Sequence, residues 1–210
     1  MTFAAYSVFA LAAVVDWVAV ARDDRRIEKI AKPAALAALV VAAVTLDPAV
    51  GAADRRVWFT VALVFSLVGD VALMLDSDRF VVGLGAFLVA HVAYIVGFWI
   101  DPPAAGAVLV ALGVTAVVMA PLALRIVGAV GASEPGLRTP VAVYITVISA
   151  MVVSASASGN GLAALGAVTF AASDTLIAWN RFVRPFRASG VAIMVTYHLA
   201  QLALVVSLVR

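Results

Sequence analysis

The sequence contains no cysteine and only two histidines, His91 and His198. This excludes a disulfide framework, thiolate nucleophiles and cysteine metal sites, and it leaves little for a histidine-rich metal cage. Charge is scarce too. Asp, Glu, Lys and Arg make up 12% of the 210 residues, against about 25% in a soluble domain. A formal charge of +2, with arginines set between apolar runs, is no nucleic-acid footprint. Hydrophobic residues fill 65% of the chain, at a mean hydropathy of +1.14. In water such a chain would expose large apolar patches, so it reads as an integral membrane protein.

Crossing a bilayer takes about 20 apolar residues per helix. Eight runs qualify: 2–20, 33–46, 57–75, 80–99, 104–124, 139–157, 161–181 and 188–209, the second of them short. Between them lie "ARDDRRIEKIAK", "LDPAVGAADRR", "DPP" at 101–103, "GASEPGLRTP" and "SGNG", several of them rich in turn formers. "SASASGNG" reads as a small-residue helix end and turn, not as a nucleotide loop. Every linker is too short to separate one domain from another. The expected fold is all-α: a single transmembrane domain over 1–210, a polytopic bundle of eight helices. The first run has no basic stretch before it and no convincing cleavage site, and reads as an uncleaved anchor.

Positive charge orients the bundle. With the N-terminus outside, the inward loops hold Arg22, Arg25, Arg26, Lys29, Lys32, Arg79, Arg125, Arg138, Arg181, Arg184 and Arg187. The outward side keeps Arg55, Arg56 and Arg210, a bias of eleven to three. Trp17, Trp58, Trp99 and Trp179 fall near helix ends, where an aromatic belt belongs. Both termini are therefore expected outside. The Arg-over-Lys, Ala/Val-rich composition points to a GC-rich bacterium and a multi-pass protein of its plasma membrane.

Two acids interrupt these runs: Asp70 in "FSLVGDVALML" and Asp174 in "AVTFAASDTLIAWNRF". Helices three and seven run the same way, and each acid lies near the inner end of its run, so the depths match. Their segments also look alike. "GDVALMLDSDRFVVGLGAFLVAHVAYIV" and "SDTLIAWNRFVRPFRASGVAIMVTYHLAQLAL" each pass from Asp through Arg-Phe to a helix with His and Tyr. A four-plus-four tandem duplication would produce this pattern, with both acids facing one cavity. An acid inside a membrane is by default a functional candidate; a hydrogen bond that fixes helix packing is the alternative. One protonated and one ionised carboxyl is what acid–base work needs.

Other polar groups converge. Phe87, His91, Tyr94 and Phe98 share one helix face, and Tyr197 lies one turn from Gln201 beside His198. His91, Tyr94, Tyr197, His198 and Gln201 are substrate-binding candidates, His91 being equally compatible with packing. Asn180 either binds a headgroup or helps end its helix. Lys32 either snorkels to phosphate, pairs with Asp16, or acts as a topology charge.

The "KP" at 32–33, "GDVALML" with "RFVVGLGAFLVAHVAYI", "GAVTFAASDTLIAWNRF" and "YHLAQLAL", in that order, resemble the YhhN/TMEM86 membrane proteins, the lysoplasmalogenase family. The resemblance runs over essentially the whole chain. It implies hydrolysis of the vinyl ether bond of a lysophospholipid drawn from the membrane, giving a fatty aldehyde and a glycerophospho-alcohol. It also implies Asp70 and Asp174 as the catalytic acids.

The chemistry suits two carboxyls. A proton delivered to the β-carbon of an enol ether creates an oxocarbenium ion that water captures, as in glycosidases. No metal or organic cofactor is required. The drier flanks of Asp70 mark it as the acid, leaving Asp174, beside Ser173 and Thr175, as base or stabiliser. Three rivals stand: a proton-coupled lipid or small-molecule transporter, a metal-dependent lipid hydrolase with Asp70, His91, Asp174 and His198 as ligands, and a purely structural bundle.

Overall fold

A computed structural model describes residues 1–75 and 79–209. Among these, every regular element is helical. The eight long helices are α1 (Thr2–Ala21), α2 (Arg25–Thr45), α3 (Ala53–Met74), α4 (Phe80–Phe98), α5 (Ala105–Ser133), α6 (Arg138–Ala157), α7 (Gly161–Ala178) and α8 (Ser189–Val206). Three short turns accompany them: 3₁₀ turns at Pro135–Leu137 and Ser207–Val209, and a π-helical turn at Trp179–Val183 that prolongs α7. Seven spans are long and apolar enough to cross a membrane. The exception is α2, whose first two turns carry Arg25, Arg26, Glu28 and Lys29.

Two boundaries differ from the sequence reading. The charged "RRIEKIAK" is not a solvated loop but the opening of α2. Asp24 caps it, its carboxylate accepting the Arg26 and Ile27 backbone N–H groups at 3.1 and 3.2 Å, which satisfies donors that a helix start leaves free. Helix α5 runs on through Arg125 to Ser133, so Arg125 is a helical residue and not a loop charge. The "SGNG" joint behaves as read. Gly159 adopts the left-handed φ of +75° that ends α6, and the Asn160 side chain accepts from Leu162 and Ala163 N–H to start α7. Residues 76–78 of the first repeat-like segment, and Arg210, lie outside the described residues.

Successive helices pack side by side except α4 and α5, since α4 packs on α6 instead. One end of the bundle gathers both chain termini: the Thr2 hydroxyl bonds to Thr45, the Ala49 N–H to the Leu208 carbonyl and Asn160 to the Ser207 carbonyl. At the other end Arg181 meets Glu134 and Phe80 meets Phe182. The core lies between α2, α3, α4, α6, α7 and α8, around Phe59, Tyr94, Phe98, Phe170 and Met151. Helix α1 covers α2 and α8, while α5 stands at the periphery along α6. Close approach at the "GD" motif depends on glycine. A Cβ on Gly69 would lie 2.6 Å from the Phe87 ring, so only glycine lets α4 press against the turn that carries Asp70.

Candidate active site

Asp70 projects from α3 into the contact with α2 and α8. Its Oδ1 is 3.0 Å from Lys32 Nζ, and both side chains are almost wholly buried, at 1% and 7% exposure. The Tyr197 hydroxyl donates to Oδ2 at 2.8 Å. Tyr197 in turn receives Gln201 Nε2 at 3.5 Å, and the Gln201 amide oxygen accepts from Tyr94 at 2.5 Å. A carboxylate taken out of water is stable only when its counter-charge and lone pairs are supplied locally. Lys32 and Tyr197 supply them. Lys32 thus pairs with Asp70, while Asp16 has no hydrogen-bond partner.

Asp174 on α7 lives differently. The Tyr144 hydroxyl from α6 donates to its Oδ2 at 2.5 Å, and His91 Nε2 lies 3.7 Å from the same oxygen. His91 Nδ1 is 2.6 Å from the Phe87 carbonyl. A carbonyl only accepts, so Nδ1 carries a hydrogen, and in the neutral ring Nε2 then turns a lone pair toward Asp174. No lysine or arginine pairs with Asp174 among the described residues. Asp174 and Tyr144 line a cavity of about 60 Å³ between α4, α5, α6 and α7, walled mostly by apolar groups such as Leu84, Phe87, Met119 and Phe182.

Their repeat-like segments led to the expectation of both acids on one cavity; here the two stand in separate hydrogen-bond networks. Asp70 is absent from that wall, and an aromatic cluster intervenes. The Phe170 ring packs edge-on against His91 at 4.7 Å and against Tyr197 at 5.5 Å. It thus touches a neighbour of each carboxyl. Lys32, Tyr94, Tyr197 and Gln201 belong to the Asp70 network and His91 to the Asp174 side. His198 faces α1, its Nδ1 accepting from Trp17 Nε1 at 3.0 Å and its ring meeting Phe9. Asn180 stands apart, in the π-turn, where its Oδ1 accepts the Phe186 N–H at 3.3 Å and ends the helix.

Asp70, His91, Asp174 and His198 are divided among these places, and no group of three or more His, Asp or Glu suited to a metal occurs among the described residues. Sequence reasoning missed Tyr144, and weighed Asp16 only as a partner for Lys32. A signal for Tyr144 existed: the chain has only four tyrosines, and three of them meet this network. Asp16 is fully buried without a hydrogen-bond partner on either oxygen.

A multi-helix bundle with paired buried acids defines a membrane protein with an intramembrane polar site. The YhhN family profile matches residues 27–208, and the chain belongs to that family. It is 36% identical over 154 residues to "Lysoplasmalogenase TMEM86B" of Homo sapiens, a match covering 71% of this chain and 62% of that protein. It is 35% identical over 178 residues to "Lysoplasmalogenase" of Mycobacterium tuberculosis, covering 80% and 66%. "Lysoplasmalogenase TMEM86A" of Homo sapiens is 34% identical over 161 residues, covering 71% and 64%. The chain thus spans less than two thirds of these relatives. No solved structure matches it.

Proposed function

We propose that this protein hydrolyses the vinyl ether bond of a lysophospholipid within the bilayer, releasing a fatty aldehyde and a glycerophospho-alcohol. The observation that carries the reading is a carboxyl with a tyrosine partner on the wall of an otherwise apolar cavity, in a chain whose relatives are named lysoplasmalogenases. The apolar wall of the cavity suits a hydrocarbon chain. Asp174 gives its proton to the β-carbon, and the α-carbon becomes an oxocarbenium ion. Water adds there while its proton returns to the Asp174 carboxylate, with the His91 Nε2 lone pair beside it. The hemiacetal then splits into aldehyde and alcohol.

Asp70, committed to its ion pair with Lys32, acts as a fixed negative charge behind the aromatic cluster. Electrostatic support of a developing cation is strongest where water is excluded. The acid and base roles read from the sequence flanks are therefore exchanged. Two supports carry the exchange: the buried ammonium against Asp70 and the cavity exposure of Asp174. We place residues 1–210 as one transmembrane domain of a bacterial plasma membrane, built four plus four, with both termini outside. The charge bias and the shared end of the termini support this.

The test is aldehyde release from a vinyl-ether lysolipid and its ester-linked counterpart by purified protein. The vinyl ether alone should react, and Asp174→Asn should lower the rate about 10³-fold, the scale of a lost general acid. An unchanged rate in folded Asp174→Asn would sink the mechanism.

A further inference from the structure

With Lys32 buried against Asp70 and Asn180 tied to Phe186, the headgroup of a lipid in the Asp174 cavity needs another anchor. The cavity rim carries one. Phe80 and Phe182 line the cavity and meet edge to face at 5.9 Å. The Arg181 guanidinium lies over both, 3.9 Å from the Phe80 ring centre and 5.2 Å from that of Phe182. Arg125 sits on the same π-turn, its guanidinium 5.3 Å from the Trp179 ring, and its chain neighbour Ile126 lines the cavity.

We propose that Arg181, assisted by Arg125, binds the phosphate ester of the substrate headgroup at the rim of the Asp174 cavity. A guanidinium resting face-down on an aromatic ring keeps its N–H edge free for a bidentate contact with phosphate. Its protein partner is weak. Glu134 is 3.4 Å away and both side chains are about one-third exposed or more, so an arriving phosphate can displace it. Other arginines at this end, such as Arg184 and Arg187, occupy a loop beyond the helix, where a topology charge suffices. Arg181 and Arg125 are fixed to the cavity's own wall.

The spacing fits as well. Arg181 follows Asp174 by seven positions, roughly 10 Å along a helix axis. From the reacting enol-ether carbon through the glycerol to phosphorus is roughly 8 Å with bonds of about 1.5 Å. The arginine side chain bridges the difference. Asp174 can hold the vinyl carbon while Arg181 holds the phosphate of one molecule.

This inference rests on the vinyl-ether reading for its choice of lipid, so its test measures binding without turnover. In a neutral sugar detergent, equilibrium binding is measured for a saturated 1-O-alkyl lysophospholipid, the matching 1-O-alkylglycerol and inorganic phosphate. Wild type should prefer the phospholipid over the alkylglycerol at least tenfold. Arg181→Gln should erase that preference and leave alkylglycerol binding unchanged, while Arg181→Lys keeps some of it. Melting temperatures verify folding, and the exposed position makes Arg181→Gln benign. Equal binding of the two lipids by wild type would overturn the proposal, as would a preference that survives Arg181→Gln. Inorganic phosphate binding as tightly as the phospholipid would mark a free-anion site and overturn the headgroup assignment. Absence of aldehyde from vinyl ethers, with the binding pattern intact, would remove the hydrolase reading and leave the headgroup site standing.

Discussion

Asp70 and Asp174 occupy corresponding points in two similar stretches, yet they have opposite surroundings. Asp70 faces an ammonium and a tyrosine hydroxyl and lies off the wall of the Asp174 cavity. Asp174 faces a tyrosine hydroxyl and an imidazole lone pair, and looks onto apolar space. A buried carboxyl with a lysine partner is a structural charge as much as a chemical one. A carboxyl without a cation, at a cavity wall, can gain and lose a proton against a guest. One residue type thus stands in two settings because α2 and α8 enclose one acid while α5 stands off from the other.

Breaking the Asp70 side should cost the most stability. Lys32→Met leaves an uncompensated buried carboxylate, and thermal melting should show a loss of about 3–5 kcal/mol. Combining it with Asp70→Asn should recover most of that loss, because the charge left unpaired is then gone. Failure of the double variant to recover would mean that Lys32 matters through packing alone.

The two tyrosines sharpen the contrast. Tyr197→Phe removes a hydrogen bond to a buried ion and should lower stability by about 2 kcal/mol. Tyr144→Phe should melt nearly as wild type yet slow aldehyde release roughly tenfold, about 1.4 kcal/mol of barrier, with KM unchanged. Equal effects of both changes on melting would erase the distinction between the two acids.

The smallest effect belongs to a residue outside both networks. Asn180→Ala removes one exposed hydrogen bond to Phe186 and should reduce stability by about 0.5 kcal/mol. The KM for lysolipid should not move, since headgroup capture is assigned to Arg181. A several-fold rise in KM would return Asn180 to the binding site.

Much of the bundle is legible in the sequence because membrane spans announce themselves one by one. Six of the eight helix starts read from hydropathy fall within two residues of those observed. The failures have local causes. Helix α2 reads short because its capped opening is charged, and hydropathy cannot distinguish a charged helical turn from a loop. Helix α5 overruns its expected end because nothing in "LRIVGAVGAS" forbids helix in an apolar setting.

The sequence by itself determined the multi-pass membrane character, the helical class and the presence of two acids within apolar helices, since composition and run length are properties of single segments. It also marked Tyr94, Tyr197, Gln201 and His91 as polar groups on shared helix faces. Only the tertiary structure decided their partners. Lys32 to Asp70 and Tyr144 to Asp174 are contacts between helices, and no periodicity within one helix encodes which neighbour it will meet. The division of labour between the acids follows from those contacts, because the charge state of a carboxyl in a medium without water is set by the groups a few ångströms away.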